Sequence, residues 1–294
     1  MQTLTVAVIG AGRVGTVLGA ALTRAGHRVS VTSLDRAEPA AADLILLTVP
    51  DDALPRVVVA LQGLRPGQVL AHTSGSHGLE VLAPATRHGV RPLALHPVMT
   101  FTGHAADLER LPGIRYGVTA PAELRPFATR LVADLGGSVE WVAENRRGLY
   151  HAALAHGANH LVTLVNEAAD RLREAGVAEP GPMLAPLLRA ALENALAHGD
   201  AALTGPVARG DAGTLARHLR ELAANAPAAV PAYRVLARRT ADRAVAAGHL
   251  PVEAAHPVLA VLADPAPEAG STAGAEGRAP ATDPAARKPV GGRA

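Results

Sequence analysis

Thr5-Val6-Ala7-Val8-Ile9-Gly10-Ala11-Gly12-Arg13-Val14-Gly15 decides how this chain folds. A β-branched and apolar run passes directly into a G-x-G-x-x-G turn. An apolar helical run follows over 17–25, and Gly26-His27 opens a second β-rich run over 28–32. Strand, glycine turn, helix, strand is the order that a dinucleotide-binding βαβ unit requires. Gly10 permits the tight turn, Gly12 lets the main chain approach a pyrophosphate, and Gly15 lets the helix pack close to the strand. The unpaired N–H groups that open the helix then face an anion. Gly10, Ala11, Gly12, Arg13, Val14 and Gly15 are therefore the expected diphosphate cradle. In a chain with 29 Gly the motif gains its weight from the flanking pattern.

The alternation continues downstream. Strands are expected at 4–9, 28–32, 44–49, 68–72 and 90–95, and helices at 13–25, 51–62 and 78–87. Asp51 or Asp52 is the expected N-cap of the second helix. Such alternation specifies an α/β fold, a Rossmann-type parallel sheet with helices on both faces. Segments 114–119, 122–135 and 138–142 would extend it by further βαβ units. From about Glu144 the strand signals vanish, and Ala/Leu-rich helical runs occupy 146–175, 182–197, 212–225 and 228–247. The expected organisation is a dinucleotide-binding domain over 1–143, an all-helical substrate and dimerisation domain over 144–262, and a disordered tail over 263–294, where Pro, Gly, Ala and isolated charges replace any periodic apolar face.

Composition narrows the function classes. The 294 residues are 49% hydrophobic, enough for a sizeable core, and contain no Cys, so disulfides, thiol catalysis and Cys-ligated zinc are excluded. The pI is about 9.5, but the formal charge is only +2 and aromatics make up 2%, which argues against nucleic acid. No apolar run has the length of a membrane span. The first strand begins too early for a leader peptide, so a cytoplasmic protein is expected. The cations are nearly all Arg; the only Lys is Lys288.

Coenzyme choice is read at the end of the second strand. Thr32-Ser33 carries no acid there, and Asp35-Arg36 follows. A hydroxyl beside an Arg suits a 2′-phosphate, so Ser33 and Arg36 favour NADP(H) over NAD(H). Val49 and Pro50 end the third strand at the ligand-binding edge of the sheet and are candidate coenzyme contacts. His72 and Thr73, ahead of Ser74, end the next. His96, Val98 and Thr100 end the fifth, which gathers hydroxyls and imidazoles at one rim.

The long helix after the junction offers the chemistry. At 100° per residue, His156, Asn159, His160, Thr163, Asn166 and Glu167 share a sector of about 120°, with His151 at its edge. A solvent face in so Arg-rich a chain would carry Arg, yet 149–168 has none. The stripe is read as facing a pocket. His156 and His160 have the i, i+4 spacing of two metal ligands, but there is no Cys and carboxylates at suitable spacing are lacking apart from Glu167, so no metal is expected. Between later helices, Thr204-Gly205-Pro206 forms a turn, Asp211 caps the helix that follows, and Arg209 could clamp a carboxylate with its planar fork.

These residues carry a resemblance. Gly10 to Gly15, Val49-Pro50-Asp51-Asp52, His72-x-Ser74-Gly75-Ser76, His96-Pro97-x-x-Thr100-Phe101, Tyr150-His151-Ala152-Ala153 with Asn159, and the 203–211 segment together resemble the family that joins a Rossmann-like domain to a helical domain of unknown function. More distantly the chain is similar to the superfamily of 6-phosphogluconate dehydrogenase, 3-hydroxyisobutyrate dehydrogenase, pyrroline-5-carboxylate reductase and ketopantoate reductase. That resemblance implies a nicotinamide oxidoreductase, a homodimer joined through the helical domain, and ketopantoate as a specific substrate to test. Several of those relatives place a Lys four residues before an Asn; if Asn159 is that Asn, this chain has Ala155 instead. The expected activity is NADP(H)-dependent reduction of a small carbonyl compound such as a 2-oxo acid. His151 or His156 would donate the proton, Asn159 and Ser74 would orient the substrate, and His96, Thr100, Thr163, Thr204 and Arg209 would bind it. The alternative is a non-catalytic NADP-binding sensor or scaffold, for which the missing Lys is the main support.

Overall fold

The computed structural model describes residues 3–263. By contact the chain divides between Asn166 and Glu167, inside a long helix, rather than at the expected 143/144 junction. The expected tail lies, beyond Ala263, outside the described residues.

The first unit is built on a seven-stranded sheet in the order β2-β1-β3-β4-β5-β6-β7. Its strands are β1 (Thr5–Ile9), β2 (Arg28–Thr32), β3 (Leu44–Leu47), β4 (Val69–His72), β5 (Arg91–Pro97), β6 (Arg115–Thr119) and β7 (Ser138–Trp141). The helices are α1 (Arg13–Arg24), α2 (Leu54–Ala60), α3 (Ala83–Thr86), α4 (Ala106–Arg110), α5 (Arg125–Asp134) and the start of α6 (Arg147–Glu174). Strand residues alternate between two cores, as their period of two requires. Val6, Val8, Leu44, Leu46, Val69 and Ala71 pack with α1 and α5 residues such as Leu18, Leu22, Leu131 and Val132. Ala7, Ile9, Ile45, Leu47 and Leu70 pack on the opposite face with Leu54, Val58 and Leu82. Covering both faces makes β3 and β4 buried throughout, which is why β3 reads as an unbroken apolar run and β4 as one up to His72.

One expectation changes. β6 pairs with β5 antiparallel, so the sheet is mixed; β6 and β7 are parallel across α5. The 98–114 connection holds only the five-residue α4. A parallel return would need a crossover traversing the sheet, whereas an antiparallel one does not.

The second unit contains the end of α6, α7 (Pro180–His198), α8 (Gly205–Ala208), α9 (Ala212–Asn225), α10 (Val230–Ala246) and α11 (Val252–Leu262). Val207, Leu215, Leu219, Ala237, Ala241, Val258 and Leu262 form its main core. Asp211 caps α9 as expected, accepting from the Thr214 N–H at 2.9 Å. Helix α11, whose packing the sequence leaves open, contributes Val258 and Leu262 to that core. Helix α7 buries little: Met183, Leu187, Leu192 and Leu196 are all exposed. Among the described residues no helix is long and apolar enough to cross a membrane.

Candidate functional site

The glycine turn takes the shape its sequence implies. Gly10 follows β1 with φ of 119°, a conformation that disfavours any side chain. Its N–H donates to the Thr32 carbonyl at 2.9 Å, and its own carbonyl accepts from Thr48 Oγ1 at 2.7 Å. A Cβ on Gly15 would lie 1.9 Å from the Gly10 carbonyl oxygen, so α1 starts hard against the strand end. At Gly12 an added Cβ would meet nothing within 4 Å. Gly12 caps α1 without a side chain, and the first turn carries no acid. The opening N–H groups of a twelve-residue helix are thus left to an anion, beside the β1/β3 boundary where the strand order reverses. These residues fit a coenzyme diphosphate.

Ser33 stands just past β2 and hydrogen-bonds to Asp35. Arg36 is 83% exposed, its Nε 3.9 Å from Asp35. Val49 is half-buried and Pro50 exposed beyond β3. Asp51 does not cap α2. Its carboxylate accepts from Ser76 Oγ at 2.7 Å, and α2 begins three residues later. Burial opposes ionisation of Asp51, but the hydrogen bonds of Ser76 and Ser74 and the nearby His77 and His151 leave it below the usual carboxylate range.

The loop after β4 is held from within. His72 is fully buried. Its Nδ1 accepts from the Ser74 N–H at 3.2 Å, so Nε2 carries the proton and donates to the Gly78 carbonyl at 2.9 Å. Burial holds this imidazole down at about 4 against the pull of that carbonyl. Ser74 turns its hydroxyl to the His77 N–H at 3.1 Å. Both ring nitrogens of His72 and the Ser74 hydroxyl therefore shape the loop. Thr73 is half-buried beside them.

Beneath that loop lies a residue the sequence reading passed over. Arg147, at the start of α6, is completely buried. It donates to the Ser74 carbonyl at 2.6 Å, to Thr119 Oγ1 at 3.1 Å and to the Gly117 carbonyl at 3.4 Å. One turn on, Tyr150 Oη lies 2.8 Å from His96 Nδ1. The only advance signal was an Arg and a Tyr next to the His151 stripe.

Above them opens a cleft of about 490 Å³, lined by His96, Val98, Met99, Thr100, His151, Leu154, Ala155, Ala158 and Asn159. The His96 and His151 rings meet edge to face, 5.7 Å between centroids. Gly75 makes the room: a Cβ there would lie 2.4 Å from His151 Cδ2 and 3.0 Å from His96 Nε2. Burial, with His151 and Arg147 nearby, pushes the His96 imidazole down to about 4, so it is neutral at physiological pH.

Residues 32–97 match the Rossmann-like domain family, and residues 114–240 match the domain of unknown function DUF2520. The chain joins a Rossmann-like domain to a DUF2520 domain. Among solved structures it is similar to a candidate NADP oxidoreductase from Bacteroides fragilis, with 23% identity over 82% of this chain and 98% of that one and a TM-score of 0.69. A Thermotoga maritima protein aligns at 18% identity over 83% of this chain and all of its own, with a TM-score of 0.64. A Plasmodium falciparum pyrroline carboxylate reductase with NADP bound aligns at 11% identity over 88% and 99%, with a TM-score of 0.55. At these identities the likeness is one of fold. No curated protein matches the chain in sequence.

The cleft draws on both matched segments. His96 comes from the Rossmann-like one, and His151, Ala155 and Asn159 come from DUF2520. The expected polar stripe on α6 is rotated relative to this opening. His151 and Asn159 face it, but His156, five residues past His151, sits roughly 140° further round the helix. His156 is exposed and pairs with His160, Nδ1 to Nδ1 at 3.0 Å. Thr163 is exposed on that same side. The sector centred on His151 decides the cleft, and the stripe as read was centred too far round. Among the described residues no group of three metal-ligating side chains occurs. Thr204 and Arg209 lie in the second unit, at the two ends of α8, both exposed.

Proposed function

We propose that this chain is an NADP(H)-dependent oxidoreductase that reduces a small carbonyl compound, with 2-oxo acids such as ketopantoate as the first substrates to test. The observation that carries this reading is the shared rim of the first unit. The glycine cradle at Gly10–Gly15, open at Gly12, and the imidazole-lined cleft at His96, His151 and Asn159 both follow C-terminal strand ends of one sheet. The coenzyme supplies a hydride when bound.

The protein supplies the rest. The main-chain amides of Gly12 to Gly15 bind the diphosphate; Ser33 and Arg36 receive the 2′-phosphate; Val49, Pro50 and Thr73 flank the ribose. Asn159 orients the carbonyl and stabilises negative charge developing on its oxygen. His151 gives that oxygen a proton, the task of a general acid within the cleft. Thr100 contacts the substrate. We place the protein in the cytoplasm as a homodimer, which the exposed apolar residues of α7 support.

NADPH oxidation followed against a panel of 2-oxo acids, starting with ketopantoate, tests the reading. Turnover supports it. Tight NADPH binding with no turnover across the panel favours a non-catalytic sensor instead.

A further inference from the structure

Tyr150 is absent from the chemistry above, yet its hydroxyl touches an imidazole that lines the cleft. The phenol oxygen lies 2.8 Å from His96 Nδ1. The Gly117 carbonyl is turned to Arg147, 3.4 Å from its Nη1. The guanidinium of Arg147 also sits 5.9 Å from the Tyr150 ring centroid. A half-buried phenol has one proton to place, and the imidazole nitrogen 2.8 Å from its oxygen is an acceptor for it.

A neutral imidazole carries one proton, so a nitrogen that accepts from Tyr150 fixes that proton on the other. His96 Nε2 lies beside Gly75 at the cleft wall and has no partner among the described residues. We propose that Tyr150 is a positioning residue that locks His96 in its Nε2–H form, so that His96 presents a fixed hydrogen-bond donor to the substrate.

This inference rests on the proposed reductase reading and sharpens its substrate class. A fixed N–H is matched by a lone pair, as on a carbonyl oxygen or the alkoxide that forms from it. It is mismatched to a protonated iminium, whose own N–H needs an acceptor. A donor already aimed where negative charge develops requires no reorganisation during the reaction. His96 then polarises the carbonyl while His151 delivers the proton.

The test uses the coenzyme-free full chain labelled with 15N-histidine. Long-range 1H–15N correlation spectra at pH 7 report which nitrogen of each ring is protonated, and His96→Gln assigns the resonance by its loss. The expected result is a His96 ring with Nε2 protonated and Nδ1 bare, and a second tautomer appearing in Tyr150→Phe. A ring protonated on Nδ1, or on both nitrogens, in the wild-type protein would overturn the proposal. So would an unchanged tautomer in folded Tyr150→Phe. A thermal-shift titration with NADPH runs alongside. Failure to bind removes the reductase reading and leaves the tautomer result standing, so the two failures are distinguishable.

Discussion

The guanidinium of Arg147 donates to the main-chain carbonyl of Ser74 at 2.6 Å, far from either residue in sequence and with no water-accessible surface on the arginine. That bond ties the start of α6 to the loop after β4. The two histidines of the cleft depend on it: His151 is carried by α6, and the room it shares with His96 is made by Gly75 in the loop.

Arg147→Met should therefore destabilise the fold. It strands the buried Ser74 carbonyl without the Arg147 donor and removes the buried contacts to Thr119 and Gly117, at a cost of roughly 2–4 kcal/mol. Urea unfolding followed by circular dichroism measures it. A loss below about 0.5 kcal/mol would mean that the loop does not need this anchor.

The cradle glycines should separate folding from binding. Gly15→Ala drives a methyl group against the Gly10 carbonyl and should lower thermal stability without any coenzyme present. Gly12→Ala meets open space and should fold normally, yet weaken NADPH by about tenfold or more, because that space is where the diphosphate sits. Equal NADPH affinity in Gly12→Ala and wild type would argue against a diphosphate there.

Arg36→Ala should cut the preference for NADPH over NADH by about tenfold, leaving NADH affinity nearly unchanged, since the guanidinium's pairing with Asp35 is exposed and only NADPH carries the 2′-phosphate. Parallel fluorescence titrations with the two coenzymes read the ratio.

The rotated stripe on α6 gives opposite expectations for two histidines. His151→Gln should slow single-turnover hydride transfer to a reducible 2-oxo acid by about 10²-fold or more. His156→Gln should leave it within about twofold, because that side chain points away from the cleft. Stopped-flow absorbance at the NADPH band distinguishes them.

Acid should weaken the fold through His72. Its imidazole stays neutral down to about 4 when folded, against an unfolded value of 6.5. Between those values the unfolded chain binds more protons, so stability rises with pH there. The stability is complete above about 6.5 and is lost as pH falls toward 4, by about 3 kcal/mol from this group. Denaturant midpoints across pH 4–7.5 should show the slope, and His72→Gln should reduce it to the part that His96, also held down to about 4, contributes.

The sequence by itself determined the nucleotide-binding half. Local periodicity and glycine spacing are short-range properties: the run into Gly10-Ala11-Gly12 specifies strand, turn and helix whatever surrounds it, and most expected strands and helices are found within a few residues. The first turn of α1 needed only that no side chain fill it. The mixed sheet was not legible, because strand direction depends on where the 98–114 connection returns, and no local pattern records that. Tertiary structure alone decided the cleft. A helical wheel groups residues by angle but cannot say which angle faces the sheet; packing placed His151 and Asn159 at the opening and turned His156 away. It also assigned Arg147 and Tyr150 their tasks, because their hydrogen bonds join atoms that the chain keeps 73 and 54 residues apart, and only folding brings such partners within 3 Å.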